Sequence, residues 1–331
     1  MSIDGSISIG NVALATPWIL APMSGVTNSA YRMLIKRLNP GALGLVVTEL
    51  ISVEALVRDN AQTMSMMSFA QEERPISIQI FGYDIDNMVS AAQRAQDAGA
   101  DIVDINCGCP APKVIKKGGG CSLMREPKYL AAMLEAVARS IEVPLTLKIR
   151  AGWDENSKNA IEVGYLAQES GAQMLAVHGR TRTQAYRGEA DWDLVRELSD
   201  RLSIPVVGSG DITSGSKAEA ALQSGAMGVM VGRASLHNPW IFSEIQAHAR
   251  GQEWVPPSDI SRLSVLREYL KLLLEVRGHE KGALGPAKQL ASQITKSIRG
   301  SHATRSALCR AKSLNEFVDE ISRCEMGLGV A

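Results

Sequence analysis

Eight short apolar stretches recur along the chain at nearly constant spacing, and no other feature restricts its fold as tightly. They are 17–21 (PWILA), 45–49 (LVVTE), 76–81 (ISIQIF), 102–106 (IVDIN), 144–149 (PLTLKI), 174–178 (MLAVH), 204–208 (IPVVG) and 227–231 (MGVMV). The first begins at 17 and the last at 227, so seven intervals span 210 residues, a mean period of 30. That is the length of a strand, a crossover helix and the start of the next parallel strand. Between them, 84–98, 128–140, 158–170 and 214–224 carry Ala, Leu, Val and Met at helical spacing, and Gly99, Gly171 and Gly225 stand where helix C-caps are expected. The pattern predicts an α/β fold, a (β/α)8 TIM barrel over residues 1–245, whose active site is assembled from the loops after the strands. An open doubly wound sheet would require G-x-G-x-x-G after its first strand, and Ala21-Pro22-Met23-Ser24-Gly25 does not supply it. Gly210 to Gly215 has P-loop glycine spacing, but Ser216-Lys217 reverses the required order.

After the eighth stretch the composition changes. Pro239, Pro256 and Pro257 punctuate the chain, and helical patterns then cover 260–277, 286–298, 302–311 and 313–324 without a credible strand. A small all-helical C-terminal domain is expected over 258–325. The chain balances 35 basic against 35 acidic residues, so no global field draws it to nucleic acid. Residues 281–312 nevertheless hold Lys281, Lys288, Lys296, Arg299, Arg305, Arg310 and Lys312 with no Asp or Glu. A merely solvated helix face would ordinarily mix both signs. No apolar run approaches the roughly 18 residues of a membrane span, and the N-terminus shows no basic segment leading into an apolar one, so a cytoplasmic protein off the membrane is expected. The five cysteines are odd in number and form no secreted framework, which predicts reduced thiols. Cys107, Cys109 and Cys121 could be soft ligands, but without a C-x-x-C pair or clustered His no metal is expected.

The strand ends carry the chemistry. Stretch four ends in Asn106-Cys107-Gly108-Cys109-Pro110 and runs into Lys113, Lys116, Lys117 and three glycines. The Gly and Pro are expected to turn Cys109 toward the barrel mouth and to leave Cys107 packed; Cys121 reads as a small buried hydrophobe. Gln79, Thr48 and Glu49 stand at the ends of stretches three and two, and Lys148, Arg150, His178 and Arg180 at those of five and six. A lone Lys on a barrel strand needs an anionic or polar partner, so Lys148 is expected to meet a ligand. Trp153 and Trp192 are expected in the core. Stretches seven and eight end in Gly208-Ser209-Gly210-Asp211 and Gly232-Arg233, where many barrels bind a phosphate. A nucleotide phosphate there, with Lys and His toward the centre and a thiol at strand four, suggests a flavin mononucleotide (FMN) oxidoreductase with a proton-donating Cys.

Ala21-Pro22-Met23-Ser24-Gly25-Val26-Thr27 with Arg32, Thr48-Glu49, Asp104 to Pro110, Lys148-Ile149-Arg150 with Gly152-Trp153, and His178-Gly179-Arg180-Thr181-Arg182 together resemble the bacterial tRNA-dihydrouridine synthases, most closely their B-type branch. The likeness keeps the same order from about residue 10 to 245. It implies an enzyme that uses FMN and NADPH to reduce the C5=C6 bond of specific uridines in tRNA, with ribosomal RNA as the alternative substrate, and a helical C-terminal domain that helps hold RNA. By motif, Pro22, Met23, Gln79, Asn106, Lys148, His178, Ser209, Gly210, Gly232 and Arg233 would hold FMN, and Cys109 would be the acid. Asn106, Lys113, Lys117, Arg180 and Lys288 would meet the RNA. A monomer is expected. An unperturbed thiol is mostly protonated at neutral pH and can donate without activation.

Two departures stand out: Ser209 occupies a position where the family usually has Asn, and Ala287-Lys288-Gln289-Leu290 replaces a basic-His pattern. The rival readings are an FMN dehydrogenase of a free pyrimidine, similar to dihydroorotate dehydrogenase, and a non-redox phosphate- or RNA-binding barrel. The first would not need the positive stretch at 281–312.

Overall fold

The computed structural model describes residues 6–280, 282–298 and 301–329. Eight parallel strands form the barrel: β1 (Trp18–Leu20), β2 (Leu45–Val47), β3 (Ile76–Phe81), β4 (Ile102–Cys107), β5 (Leu145–Arg150), β6 (Leu175–His178), β7 (Val206–Ser209) and β8 (Gly228–Val231). Each pairs with its sequence neighbour, and β8 pairs with β1, so the sheet closes and leaves no barrel edge. Every stretch read from the sequence is one of these strands. A two-residue strand at Ile51–Ser52, added beside β3, was not anticipated.

The principal crossover helices are α1 (Ser29–Leu38), α2 (Ile85–Asp97), α3 (Pro127–Ser140), α4 (Ala160–Glu169), α5 (Trp192–Arg201), α6 (Gly215–Gln223) and α7 (Ile241–Ala249). Side-chain oxygens of Asn28, Asp84, Asp191 and Ser214 cap α1, α2, α5 and α6 by accepting from a backbone N–H three residues on. Gly99, Gly171 and Gly225 take positive φ just past α2, α4 and α6, the left-handed turn that ends a helix.

Side-chain alternation divides the apolar residues into an inner and an outer set. The outward set packs under the helices. The inward set, including Ile19, Leu45, Ile102, Met174, Ala176, Val207 and Met230, forms its own core with Ile7, Ile9 and Leu14 of an antiparallel hairpin, Ile7–Ile9 with Val12–Leu14. The tip of that hairpin approaches Pro144 and Gln173, just before β5 and β6, so the hairpin stoppers the N-terminal end of the barrel. The opposite end stays polar and open.

Four further helices follow: α8 (Asp259–Arg277), α9 (Leu284–Ile294), α10 (His302–Arg310) and α11 (Leu314–Gly329). Leu266, Leu273, Leu290, Phe317 and Ile321 share one core with α1, α7 and strands β1 and β8. Tyr269 of α8 meets Tyr31 of α1 edge to face at 6.0 Å, and its hydroxyl accepts from Asn28 at 3.0 Å. Of the basic stretch, Lys296, Arg310 and Lys312 are exposed and Lys288 and Arg305 half-buried; Lys281 and Arg299 lie outside the described residues.

A buried ion pair ties the first two barrel units together. Glu73, fully enclosed, accepts from Arg32 Nε, Ser29 Oγ and the Ala70 N–H, while Arg32 also donates to the carbonyls of Thr27 and Ser68. Removing one partner of such a pair leaves the other charge buried without compensation. Glu73→Ala is therefore expected to cost about 3–5 kcal/mol, read as a lowered urea midpoint; a loss within 0.5 kcal/mol, ordinary for surface substitutions, would show that the pair bears no such weight.

Candidate active site

The inward residues at the C-terminal strand ends face one cavity of about 1200 Å³. Pro22 and Met23 follow β1, Asn106 and Cys109 close β4, and Lys148 and His178 stand on β5 and β6. Ser209, Gly210, Gly232 and Arg233 complete the wall, and all ten line the cavity. The register explains part of this convergence, because Asn106 is paired with Lys148, and Lys148 with Ala176, on adjacent strands.

The thiols separate by environment. Cys107 is fully buried, and burial pushes its thiol well up; burial likewise pushes Cys121 up to about 12. Both are inert small apolar groups. Cys109 is half-buried and lines the cavity. Its position follows from a turn after β4, in which Asn106 Oδ1 accepts from the N–H groups of Cys109 at 2.9 Å and Gly108 at 3.3 Å.

Positive charge gathers on one side of the cavity. Burial and the neighbouring Arg150 lower Lys148 to about 8, against the opposing pull of Asp104. Burial, with Lys148, Arg150, Arg180 and Arg233 around it, lowers His178 to about 2, so its imidazole is neutral over the physiological range. His178 Nδ1 and Arg180 Nη1 are buried without a hydrogen-bond partner. A Cβ on Gly210 would lie 3.6 Å from Arg180 Nη1 and 3.7 Å from His178 Nε2, so the glycine keeps open the space beside them. The unpartnered His178 Nδ1 and the cationic wall of the cavity suit an acceptor-rich, anionic ligand.

The packing sets several of the residues singled out in the sequence back from the cavity wall. Gln79 does not line the cavity: it lies behind Asn106, fully buried, and donates to Asp104. Arg180 does not reach the cavity surface either. It is 2% exposed and donates to both Asp211 carboxylate oxygens and to the carbonyls of Arg187 and Gly188. Gly208 is absent from the cavity wall because the Trp192 ring lies over it, 2.1 Å from where a Cβ would stand. Trp192 does join the core, whereas Trp153 stays outside it beneath the Arg125 and Arg182 guanidiniums, 4.8 and 4.5 Å from the ring centre. Lys113 and Lys117 are exposed beside the rim residues Ala111 and Pro112, and Lys288 sits on α9 away from the cavity wall.

Three participants received no role from the sequence. Arg150 donates to the carbonyls of Gly108, Thr181 and Ala185, binding the loops after β4 and β6 together. Tyr186 places its ring 4.3 Å from the Arg233 guanidinium and edge-on to His178, and no motif marks it. Asp104 is a carboxylate inside the barrel; the rule applied to Lys148, that a charge on a barrel strand needs a partner, would have found it. No cluster of three or more His, Cys, Asp or Glu arranged to hold a metal occurs among the described residues, and no described helix is long and apolar enough to cross a membrane.

Comparison with known proteins gives this arrangement a family. Residues 19–326 match the dihydrouridine synthase family. A probable tRNA-dihydrouridine synthase of Rickettsia conorii is 39% identical over 83% of both chains. The tRNA-dihydrouridine synthase B of Pseudomonas aeruginosa is 40% identical over 83% of both, and probable tRNA-dihydrouridine synthase 1 of Synechocystis sp. is 38% identical over 95% of this chain and 87% of that one. Among solved structures, histamine dehydrogenase from Rhizobium sp. superposes with a TM-score of 0.59 at 13% identity, covering 82% of this chain and 51% of that chain, a likeness of barrel fold alone. The chain belongs to the dihydrouridine synthase family.

Proposed function

We propose that the protein reduces the C5=C6 bond of specific uridines in tRNA to 5,6-dihydrouridine, with FMN as resident cofactor and NADPH as reductant. The observation that carries this reading is the placement of Cys109, the cavity-lining thiol, in the same space as Lys148, His178 and Arg233. The site fits an FMN-sized anion: Arg233 and the glycines at 210 and 232 suit its phosphate, and the unpartnered His178 Nδ1 and the Lys148 ammonium suit its polar ring edge. Pro22, Met23, Asn106 and Ser209 would complete its contacts. Once bound and reduced, FMN would supply a hydride to uracil C6.

Addition at C6 moves charge onto the C4 oxygen of the uracil, and Lys148 Nζ is the cation available to stabilise it. His178, being neutral, contributes a hydrogen bond rather than a charge. The Cys109 Sγ–H bond breaks as its proton passes to C5, and the resulting thiolate regains a proton from solvent. RNA would reach the mouth past the helical region over 258–325. His237, on the cavity rim, approaches the Gln293 carbonyl of α9 at 3.3 Å through its Nδ1, which joins that region to the site. Lys113 and Lys117 at the rim and Lys288 on α9 are offered as further RNA contacts, and a cytoplasmic, monomeric enzyme is proposed.

Three measurements test these assignments. Cys109→Ala should lower dihydrouridine formation by roughly 10²–10⁴ with the bound flavin spectrum retained, while Cys121→Ser stays near wild type; unimpaired turnover in Cys109→Ala would remove this thiol from the mechanism. Lys148 loses its proton as pH rises through about 8, so FMN affinity of the apoprotein should fall across that range. Fluorescence titration in the Cys109→Ala background reads it directly, and Lys148→Met should abolish the slope. Finally, tRNA affinity should fall steeply with salt, and the combined Lys296→Ala, Arg310→Ala and Lys312→Ala changes should flatten that dependence; an unchanged slope would place RNA on another surface.

A further inference from the structure

Inside the barrel, four side chains from three strands, with Asn106 uppermost, form a continuous buried series. Gln79 on β3, Asp104 on β4 and Thr146 on β5 stand side by side in the register, and all are 4% exposed or less. Thr146 Oγ1 donates to Asp104 Oδ1 at 2.5 Å, and Gln79 Nε2 donates to Asp104 Oδ2 at 2.7 Å. Asn106 Nδ2 in turn donates to Gln79 Oε1 at 2.8 Å. The series ends where Asn106 Oδ1 accepts from the N–H groups of Gly108 and Cys109.

Such a series has a direction. Gln79 presents its NH2 to Asp104 and its carbonyl to Asn106, the arrangement that an acceptor-only carboxylate imposes. Asn106 must then present its NH2 to Gln79 and its carbonyl to the turn that carries the thiol. Reversing either amide would set two acceptors or two donors against each other in a buried site.

We infer that Asp104 is a positioning residue, whose acceptor-only carboxylate orients the Gln79 and Asn106 amides and thereby holds the Cys109 turn in its proton-donating arrangement. The inference rests on the reading of Cys109 as the acid. It gives Gln79 a function that does not require contact with a ligand, and it accounts for a charge buried inside a barrel.

The direction can be inverted without changing side-chain size. In Gln79→Glu two carboxylates face each other. In the double variant with Asp104→Asn the new Asn accepts from Thr146 and donates to the new Glu, which accepts from Asn106. All bonds are restored with the charge moved by one strand. Asp104→Asn alone can keep its oxygen toward the Gln79 NH2 and turn its NH2 to the Thr146 hydroxyl, which can accept, so it is the control that preserves the amide order. Gln79→Glu should lose about tenfold or more in kcat, with KM for tRNA nearly unchanged, Asp104→Asn should lose less, and the double variant should recover to within about threefold of wild type. The alkylation rate of Cys109 by iodoacetamide, read by peptide mass spectrometry on the same proteins, should change in Gln79→Glu and return in the double. If Gln79→Glu does not fold, recovery of the folded protein in the double variant reads the same pairing. A double variant no better than Gln79→Glu in either readout, or Gln79→Glu indistinguishable from wild type, overturns the relay. Should Cys109→Ala itself leave turnover intact, the acid assignment fails instead, while the alkylation result still reports on the relay.

Discussion

A carboxylate enclosed within a closed sheet is the constraint around which the catalytic end is organised. Desolvation raises the Asp104 carboxyl, opposed by hydrogen bonds from Thr146 and Gln79 and by the Lys148 charge. Without those partners, burial would cost several kcal/mol. Each partner is itself positioned by register: Gln79 and Thr146 are the Cα partners of Asp104 on the two adjacent strands, and Lys148 is one pleat higher on β5, beside Asn106. The polar layer and the cavity floor are consecutive steps on the same strands.

Below that layer the barrel is apolar and stoppered by the hairpin; above it stand cationic and neutral polar groups that face the cavity. This polarity along the barrel axis separates stability from chemistry. The inner apolar core is insulated from the mouth, so loop composition there can serve ligand binding with limited effect on the core. Arg150 and Arg180 illustrate the division. Both are arginines at strand ends beside a cationic site, yet each donates to loop carbonyls, and Arg180 also to Asp211, which makes them braces for the cavity wall.

The thirty-residue period and its helical intervals were enough to read all eight strands, because parallel barrel strands are buried on both faces and appear as short continuous apolar runs. Residue type at strand ends likewise indicated Asn106, Cys109, Lys148, His178, Ser209, Gly210, Gly232 and Arg233, and each lines the cavity. Gln79 and Arg180 were read as ligand contacts from the motifs that carry the family resemblance. What moved them off the surface was competition from nearer partners, Asp104 for one and Asp211 for the other. Tyr186 was invisible for the opposite reason: it lies in an irregular loop, where no periodicity assigns a direction to a side chain.

Local sequence therefore determined which segments become strands, which helices are capped, and which side chains alternate inward, since these depend on neighbours a few residues away. Tertiary structure alone decided which inward polar groups bond to one another and which remain open to a ligand. The hydrogen bonds of Asp104 reach 25 and 42 residues along the chain, and that of Arg180 to Asp211 reaches 31. Partners so far apart meet only after the sheet has closed and fixed its register, and it is their geometry that leaves the Cys109 thiol facing the cavity.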